Sequence, residues 1–325
     1  MSQVENQMIR WGILGYARIA RLQVIPAILA SGNGRVHALA SRDPAKLAEA
    51  QAQVPELTAR ASYEEVLRDP AVDAIYIPLP NSLHKHWAIA ALDAGKHVLC
   101  EKPLALDAQE AREMFAAAQR NRRVLMEAFM YRYSDRSRQL RGVIESGVLG
   151  EVRHVNASFR FFLDRPGTIK MQPGLGGGAL YDVGVYPINL LGLITGGALP
   201  VSVHAEAEFI DGVDVNASVL LRYPDGLLAT LHCGFNAFGQ MGAEIVGTKG
   251  RLLVPDPFLG EAGELTLTTA EGTRAIPVAA TERYTEQVRE FAAALLEGRS
   301  PQLTPAESIR NLEVLDMIRA RLQRT

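Results

Sequence analysis

Lys102, Asp182 and Tyr186 are the side chains of this sequence whose type and setting suit proton transfer on a small polar substrate. Lys102 stands in Glu101-Lys102-Pro103, directly after an apolar run that closes at Cys100. A lysine at a strand end, followed by proline, is held more tightly than a surface lysine. It could pair with a ribose or polarise a hydroxyl, although a lone lysine there is more ordinarily an ion-pair partner. Asp182 and Tyr186 fall one turn apart on a mainly apolar helix expected from Ala179 to about Ile194, so they share a face. Two polar, ionisable groups on such a helix need partners, which can be a substrate or each other. The preceding Gly176-Gly177-Gly178 reads as a loop needing either positive φ or close approach to a ligand. Pro187 cannot donate to the carbonyl of Val183, so a bend is expected there.

Gly15-Tyr16-Ala17-Arg18-Ile19-Ala20 follows the apolar run Trp11–Leu14 and opens an apolar-periodic segment, Ile19–Leu29. Strand, tight turn and helix in that order form a diphosphate cradle, because the helix N-terminus offers unpaired N–H groups and a positive dipole end. The full fingerprint has glycine where Ala17 stands, and the Cβ there forbids the closest approach. On the motif alone, a buried strand–helix turn is as good a reading. The second strand, Val36–Ala40, ends in Ser41-Arg42-Asp43-Pro44. A carboxylate at this point selects NAD, whereas an arginine suits the 2′-phosphate of NADP. Asp43 before Pro44 reads as a helix cap, which leaves Arg42 for the phosphate and favours NADP, with NAD possible. Arg42 also fits a solvated loop. Pro78-Leu79-Pro80-Asn81-Ser82 lies at the carboxyl end of the strand Val72–Pro78, where ligands sit in open parallel sheets. His84 and His86 flank the next helix start and read as surface or capping residues; two apart, they do not share a face for a metal.

These residues need a frame. From Trp11 to Met126 the pattern alternates strand and helix, with further strands at Lys96–Cys100 and Val124–Met126, and so implies a parallel sheet covered on both faces. After about residue 127 the pattern changes. A helix over Ser134–Ser146 precedes strands without intervening helices at Val152–Phe162, Val201–Phe209, Val215–Arg222, Leu227–Phe235, Gly242–Gly247, Arg251–Val254 and Glu264–Thr269. Helices Tyr284–Leu296 and Pro305–Leu322 end the chain. The fold class is therefore α/β: a nucleotide-binding domain over residues 1–127, then an α+β domain over 128–325 with a large, mostly antiparallel sheet for substrate and subunit contacts. The terminal helices are candidates to pack back on the first domain.

Composition excludes other classes. With 48% hydrophobic residues and a net charge of -2, the chain can bury a core and has no basic run for nucleic acid. Cys100 and Cys233 are far apart and suggest neither a thiol redox pair nor a disulfide. Arg10, Arg18 and Arg21 break the first apolar stretch, so no leader is expected, and no segment reads as a bilayer span. A cytoplasmic setting without membrane contact is expected. No close His/Cys/Asp/Glu cluster asks for a metal.

Together these pieces resemble the family of NAD(P)-dependent glucose-fructose oxidoreductases and inositol dehydrogenases, over nearly the whole chain. The resemblance rests on Gly15–Ala20, Pro80-Asn81-Ser82-Leu83-His84, Gly95-Lys96-His97-Val98-Leu99-Cys100-Glu101-Lys102-Pro103, and the glycine cluster with Asp182 and Tyr186. It implies a Rossmann-type domain and an open sheet domain often used for homodimer or homotetramer contacts. It implies a lysine near nicotinamide and substrate before a cis proline, roles that fall on Lys102 and Pro103. Asp182 and Tyr186 would contact substrate. Cofactor contacts would fall on Gly15, Tyr16, Ala17, Arg18 and Ile19 in the turn, on Ser41 and Arg42 beyond the second strand, and on Pro78, Asn81, His84 and Glu101 at the later strand ends. Tyrosine at 186, Ser41-Arg42-Asp43 and Glu127–Arg132 are similar to the branch with aldose (xylose) and dihydrodiol dehydrogenases, where alanine at the middle glycine is normal. Tyr133-Ser134-Asp135 departs from that branch's usual continuation and weakens the inference of substrate.

The expected reaction moves a hydride between nicotinamide and a sugar or polyol carbon, most naturally of an aldose such as xylose or glucose. Tyr186 acts as general base, Lys102 favours the phenolate, and Asp182 orients a neighbouring hydroxyl. The alternatives are a trans-dihydrodiol dehydrogenase, an NAD-dependent glycosidase on the same fold, and a non-enzymatic dinucleotide sensor, which would be expected to lose Lys102 or the Asp182–Tyr186 pair. Arg165, Tyr181 and Asn189 are further candidates around the substrate.

Overall fold

The computed structural model describes residues 8–165 and 167–322. The chain forms two compact units. The first runs to Ala105, resumes over Gln109–Met130 and takes in Glu282–Ser308; the second comprises Leu106–Ala108, Tyr131–Thr281 and the chain from Ile309 onward.

The first unit is built on six strands: β1 (Ile9–Leu14), β2 (Gly34–Ala40), β3 (Thr58–Arg60), β4 (Ala74–Ile77), β5 (His97–Glu101) and β6 (Leu125–Ala128). Their order is β3-β2-β1-β4-β5-β6, with every neighbouring pair parallel. The order reverses between β1 and β4, so the carboxyl ends of those strands open a crevice for a ligand. Trp11, Ile13 and Leu14 of β1 and all four residues of β4 are buried, as expected for strands covered on both faces. Part of that cover comes from far along the chain. Phe291, in the helix Arg283–Glu297, packs its ring 5.4 Å from that of Trp11. The same helix is tied down by Arg289, which donates to the Ser31 carbonyl, and by the Asn33 amide, which donates to the Arg289 carbonyl.

The second unit holds an eight-stranded sheet of β7 (Val152–Phe162), β8 (Ser202–Ile210), β9 (Val213–Arg222), β10 (Leu228–Gly234), β11 (Asn236–Gly247), β12 (Gly250–Pro255), β13 (Gly263–Thr269) and β14 (Gly272–Val278). The order is β14-β13-β12-β11-β7-β10-β9-β8; only β7 and β10 run parallel. Val215, Ala217, Val219 and Leu221 of β9 point into the core and alternate with exposed neighbours. The core face is covered by the helix through Tyr186, which lies on β7 and β10. On the other face Leu220, Leu228 and Ile210 are exposed.

Several boundaries differ from the sequence reading. Thr58–Arg60 and Gly272–Val278 are strands that the apolar pattern does not announce. The first has three residues, and the second is a largely exposed edge strand. β11 begins at Asn236 rather than Gly242, with an irregular register between Asn236 and Gln240. The expected uniform helix from Ala179 is a π-helical turn, Leu180–Gly184, followed by an α-helix, Val185–Ile194. The irregularity thus precedes Pro187 instead of falling on it. One membrane expectation is also corrected. By length and hydropathy alone, Pro173–Ile194 could cross a bilayer, but 72% of its apolar window is buried inside the protein, as in a core helix.

Candidate functional site

In the first unit the turn after β1 is shaped for close approach. Gly15 has φ +96, and its N–H donates to the Ala40 carbonyl at 2.8 Å. A Cβ there would lie 3.2 Å from Leu79 and 3.3 Å from the Tyr63 hydroxyl, so side chain and conformation are both disfavoured. Arg18 is exposed, and Ala17 and Ile19 are half-buried. The Tyr16 hydroxyl donates to Gln53 Oε1 at 2.7 Å, and its ring is buried. Asp43 caps the helix Pro44–Gln53 by accepting from the Ala45 N–H at 3.0 Å. Ser41 Oγ accepts from the Asp43 N–H at 3.1 Å, and Arg42 is exposed. Burial raises the Tyr63 phenol and the Arg42 charge pulls it back, so Arg42 and Tyr63 lie by the Gly15 turn. A positive-φ glycine at the strand-order reversal, with a cap-bound Asp43 beside an exposed Arg42, fits a dinucleotide carrying a 2′-phosphate.

Lys102 occupies a turn whose neighbouring residues are held by named groups. The Lys102–Pro103 peptide is cis. Tyr76 donates to Glu101 Oε1 at 2.7 Å. The Leu104 N–H donates to Glu127 Oε1 at 2.9 Å. His84 Nδ1 lies 2.8 Å from the Pro103 carbonyl, and its Nε2 lies 2.8 Å from the Leu79 carbonyl. His84 is therefore neither the surface nor the capping residue that its position suggests. It is 0% exposed with both ring nitrogens on the main chain, and it links the Pro78–Asn81 loop to the Lys102 turn instead of offering an open polar atom to a cofactor. Pro78 is buried and Asn81 half-buried at that loop.

In the second unit Tyr186 is buried, with the rings of Phe159, Phe258 and Tyr131 at centroid distances of 5.3, 5.4 and 5.9 Å. Asp182 forms an ion pair with Lys170, a residue that sequence reasoning missed because it lies in a loop without periodicity. The Lys170 ammonium also sits 5.1 Å from the Phe161 ring centroid and 5.9 Å from that of Phe235. Asn189 is buried and accepts from the Tyr131 hydroxyl at 2.6 Å and from Arg132 at 3.2 Å. Tyr181 donates to the Leu106 carbonyl at 2.6 Å beneath the Arg319 guanidinium, and Arg165 is exposed.

Two glycines of the cluster, Gly177 and Gly178, allow close approach of other parts of the protein. A Cβ on Gly177 would lie 2.5 Å from the Lys170 carbonyl oxygen, and one on Gly178, where φ is +120, would lie 2.2 Å from Asp214 Oδ1. Asp214 Oδ2 accepts from the Leu180 N–H at 2.7 Å, so this carboxylate anchors the start of the helix carrying Asp182 and Tyr186. Burial pushes the Asp214 carboxyl up to about 6 against those main-chain bonds. Gly178→Ala is expected to lower the unfolding free energy by about 1–3 kcal/mol, through overpacking together with a strained backbone. Urea unfolding followed by circular dichroism checks this, and an unchanged midpoint would contradict the packing described.

A six-stranded parallel sheet with this strand order and a glycine turn at its reversal point is a dinucleotide-binding architecture. The chain belongs to the oxidoreductase family with an NAD-binding Rossmann fold, matched over residues 9–129, together with the GFO/IDH/MocA C-terminal domain over residues 137–253. It is 36% identical to a D-xylose 1-dehydrogenase (NADP(+)) of Haloferax volcanii, covering 95% of each chain. It is 35% identical to a dTDP-3,4-didehydro-2,6-dideoxy-alpha-D-glucose 3-reductase of Actinomadura kijaniata, covering 96% of this chain and 95% of the relative. The crystal structure of a 3-ketoreductase from Actinomadura kijaniata, in complex with NADP and TDP-benzene, superposes with a TM-score of 0.91 at 32% identity, over 98% of both chains. The chain is thus an NAD(P)-dependent oxidoreductase of a family that acts on sugar-related substrates.

Proposed function

We propose that this chain is an NADP-dependent oxidoreductase of a sugar, interconverting a ring hydroxyl and a carbonyl. The observation that carries the reading is one helix presenting Asp182, held by Lys170, and Tyr186, walled by three aromatic rings. Such a helix offers a hydrogen-bond acceptor for a sugar hydroxyl and a phenol for the proton of the reacting oxygen. The bound nicotinamide supplies or takes the hydride. Tyr186 takes the hydroxyl proton in oxidation and returns it in reduction. Lys102 stabilises negative charge on the reacting oxygen and favours the phenolate form of Tyr186. Asp182 accepts from an adjacent hydroxyl and sets which carbon reacts. Arg42 pairs with the 2′-phosphate, while the turn from Gly15 to Ile19 and the loop from Pro78 to Asn81 receive the rest of the cofactor. The exposed Leu220, Leu228 and Ile210 on the open face of the eight-stranded sheet suit contact with a second copy of the chain.

Two substrate classes have specific support. The Haloferax relative supports an aldose, with NADP reduced. The Actinomadura relative supports a keto group on a deoxysugar nucleotide, with NADPH oxidised. Absorbance of the reduced nicotinamide with xylose and glucose in one direction, and with a 3-keto sugar nucleotide in the other, decides between them. No turnover with either class, despite cofactor binding, would overturn the reading.

Arg42→Ala is expected to weaken NADP(H) binding by about ten- to a hundredfold, the loss of one charge-assisted pair, and to leave NAD(H) binding nearly unchanged. Fluorescence titration with NADPH and NADH measures both. Equal loss for the two cofactors would assign Arg42 a general structural part and remove it from phosphate recognition.

A further inference from the structure

We propose that His84 is a buried imidazolium paired with an ionised Glu127 through the single peptide group Pro103–Leu104, and that this pair positions the turn carrying Lys102. The inference rests on the reading above, in which Lys102 serves the reaction. Both ring nitrogens of His84 lie 2.8 Å from carbonyl oxygens, and the ring is 0% exposed. A carbonyl oxygen only accepts, and a neutral imidazole has a single N–H. One of the two contacts in a neutral ring would set a lone pair against a lone pair. Two acceptors call for two donors, hence the doubly protonated ring.

A buried positive charge needs a counter-charge. The Pro103 carbonyl faces His84, and the N–H of the same peptide group, that of Leu104, donates to Glu127 Oε1 at 2.9 Å. A cation at the oxygen and an anion at the N–H both favour the polarised form of that peptide, so each bond strengthens the other. Glu127 is fully buried within an apolar run from Val124 to Met130. Burial alone drives both groups toward neutrality. It pushes the Glu127 carboxyl up to about 7, with Glu101 adding to the rise, while the Ser308 hydroxyl, the Leu104 N–H and Lys102 oppose it. It also holds His84 below its ordinary range, with Lys102 adding to the fall and the Pro103, Leu79 and Leu104 main chain opposing it. Against that pull, two carbonyl oxygens that each need a donor, and an anion across the shared peptide group, hold the second proton on the ring. When His84 loses its proton, one of its two carbonyl bonds is lost and the turn loosens, so the alkaline side is where positioning fails.

The test uses the whole protein with histidine labelled by nitrogen-15 and long-range proton–nitrogen spectra recorded across pH. The expected result near neutrality is a His84 ring with the imidazolium pattern at both nitrogens. Glu127→Gln, nearly isosteric, should move loss of that pattern to lower pH by on the order of one unit. The alkaline limb of kcat should move with it, while KM for NADPH stays nearly constant. A wild-type ring with a single N–H near neutrality overturns the proposal, even if Glu127→Gln fails to fold. A ring titration unmoved by Glu127→Gln overturns the pairing, and a kcat limb that ignores the shift overturns the positioning role. Because the spectra do not require turnover, they stand apart from the assignment of Lys102, which Lys102→Ala tests separately.

Discussion

Replacing Tyr186 by phenylalanine is expected to lower kcat by at least about a hundredfold, the usual range for removing a general acid–base group, while the Kd for NADPH stays within about twofold of wild type. The ring of Tyr186 is gripped by Phe159, Phe258 and Tyr131, so phenylalanine keeps the packing and only the hydroxyl is lost. A free phenol ionises near pH ~10, well above neutrality, so the proposal needs a cation that favours the phenolate, and Lys102 is the residue assigned to it. The two changes should therefore be non-additive. Turnover in Tyr186→Phe close to that of the wild type would end the assignment.

Lys102→Ala is expected to lower kcat by on the order of a hundred- to a thousandfold, as when a preorganised charge at a developing oxyanion is removed. The turn itself should survive. The contacts of Tyr76 with Glu101, of His84 with Pro103 and of Glu127 with Leu104 all remain when the Lys102 side chain is shortened. The measurements are single-turnover rates with saturating cofactor, alongside the circular dichroism melting curve. A large fall in melting temperature with modest loss of rate would recast Lys102 as the ion-pair partner that a lone lysine at a strand end can be. On the proposed role of the lysine, the rate in the double variant with Tyr186→Phe should fall little below that of the slower single variant.

The sequence shows the sheet of the first unit well because strands covered on both faces are continuous apolar runs with turn residues at either end. β4 is wholly of that kind, and β1, β2, β5 and β6 are mostly so. Thr58–Arg60 is too short to carry a pattern, and Gly272–Val278 has an edge strand's mixture of polar and apolar residues. At the candidate site, Asp182 and Tyr186 are legible because polar groups at helical spacing on an apolar helix stand out. Lys170 and Asp214 are not, since their roles depend on which loop meets which strand, a fact of topology that no local spacing encodes. His84 misled for a related reason. A histidine at a helix start is most often at the surface, and only the meeting of the Leu79 and Pro103 carbonyls around it makes it a buried bridge. Glu127 was the missed clue: a carboxylate inside a short apolar strand has to be answered by something, and here the answer is the Leu104 amide.

Phe291 covering Trp11 has a consequence for synthesis. The chain emerges from the ribosome N-terminus first, yet the segment that completes the first unit is Glu282–Ser308. Until that stretch appears, the indole and its apolar neighbours lack part of their native cover and present apolar surface to which chaperones can bind. A fragment ending near Met130 should accordingly be prone to aggregate, and adding residues 282–308 as a separate peptide should restore its solubility.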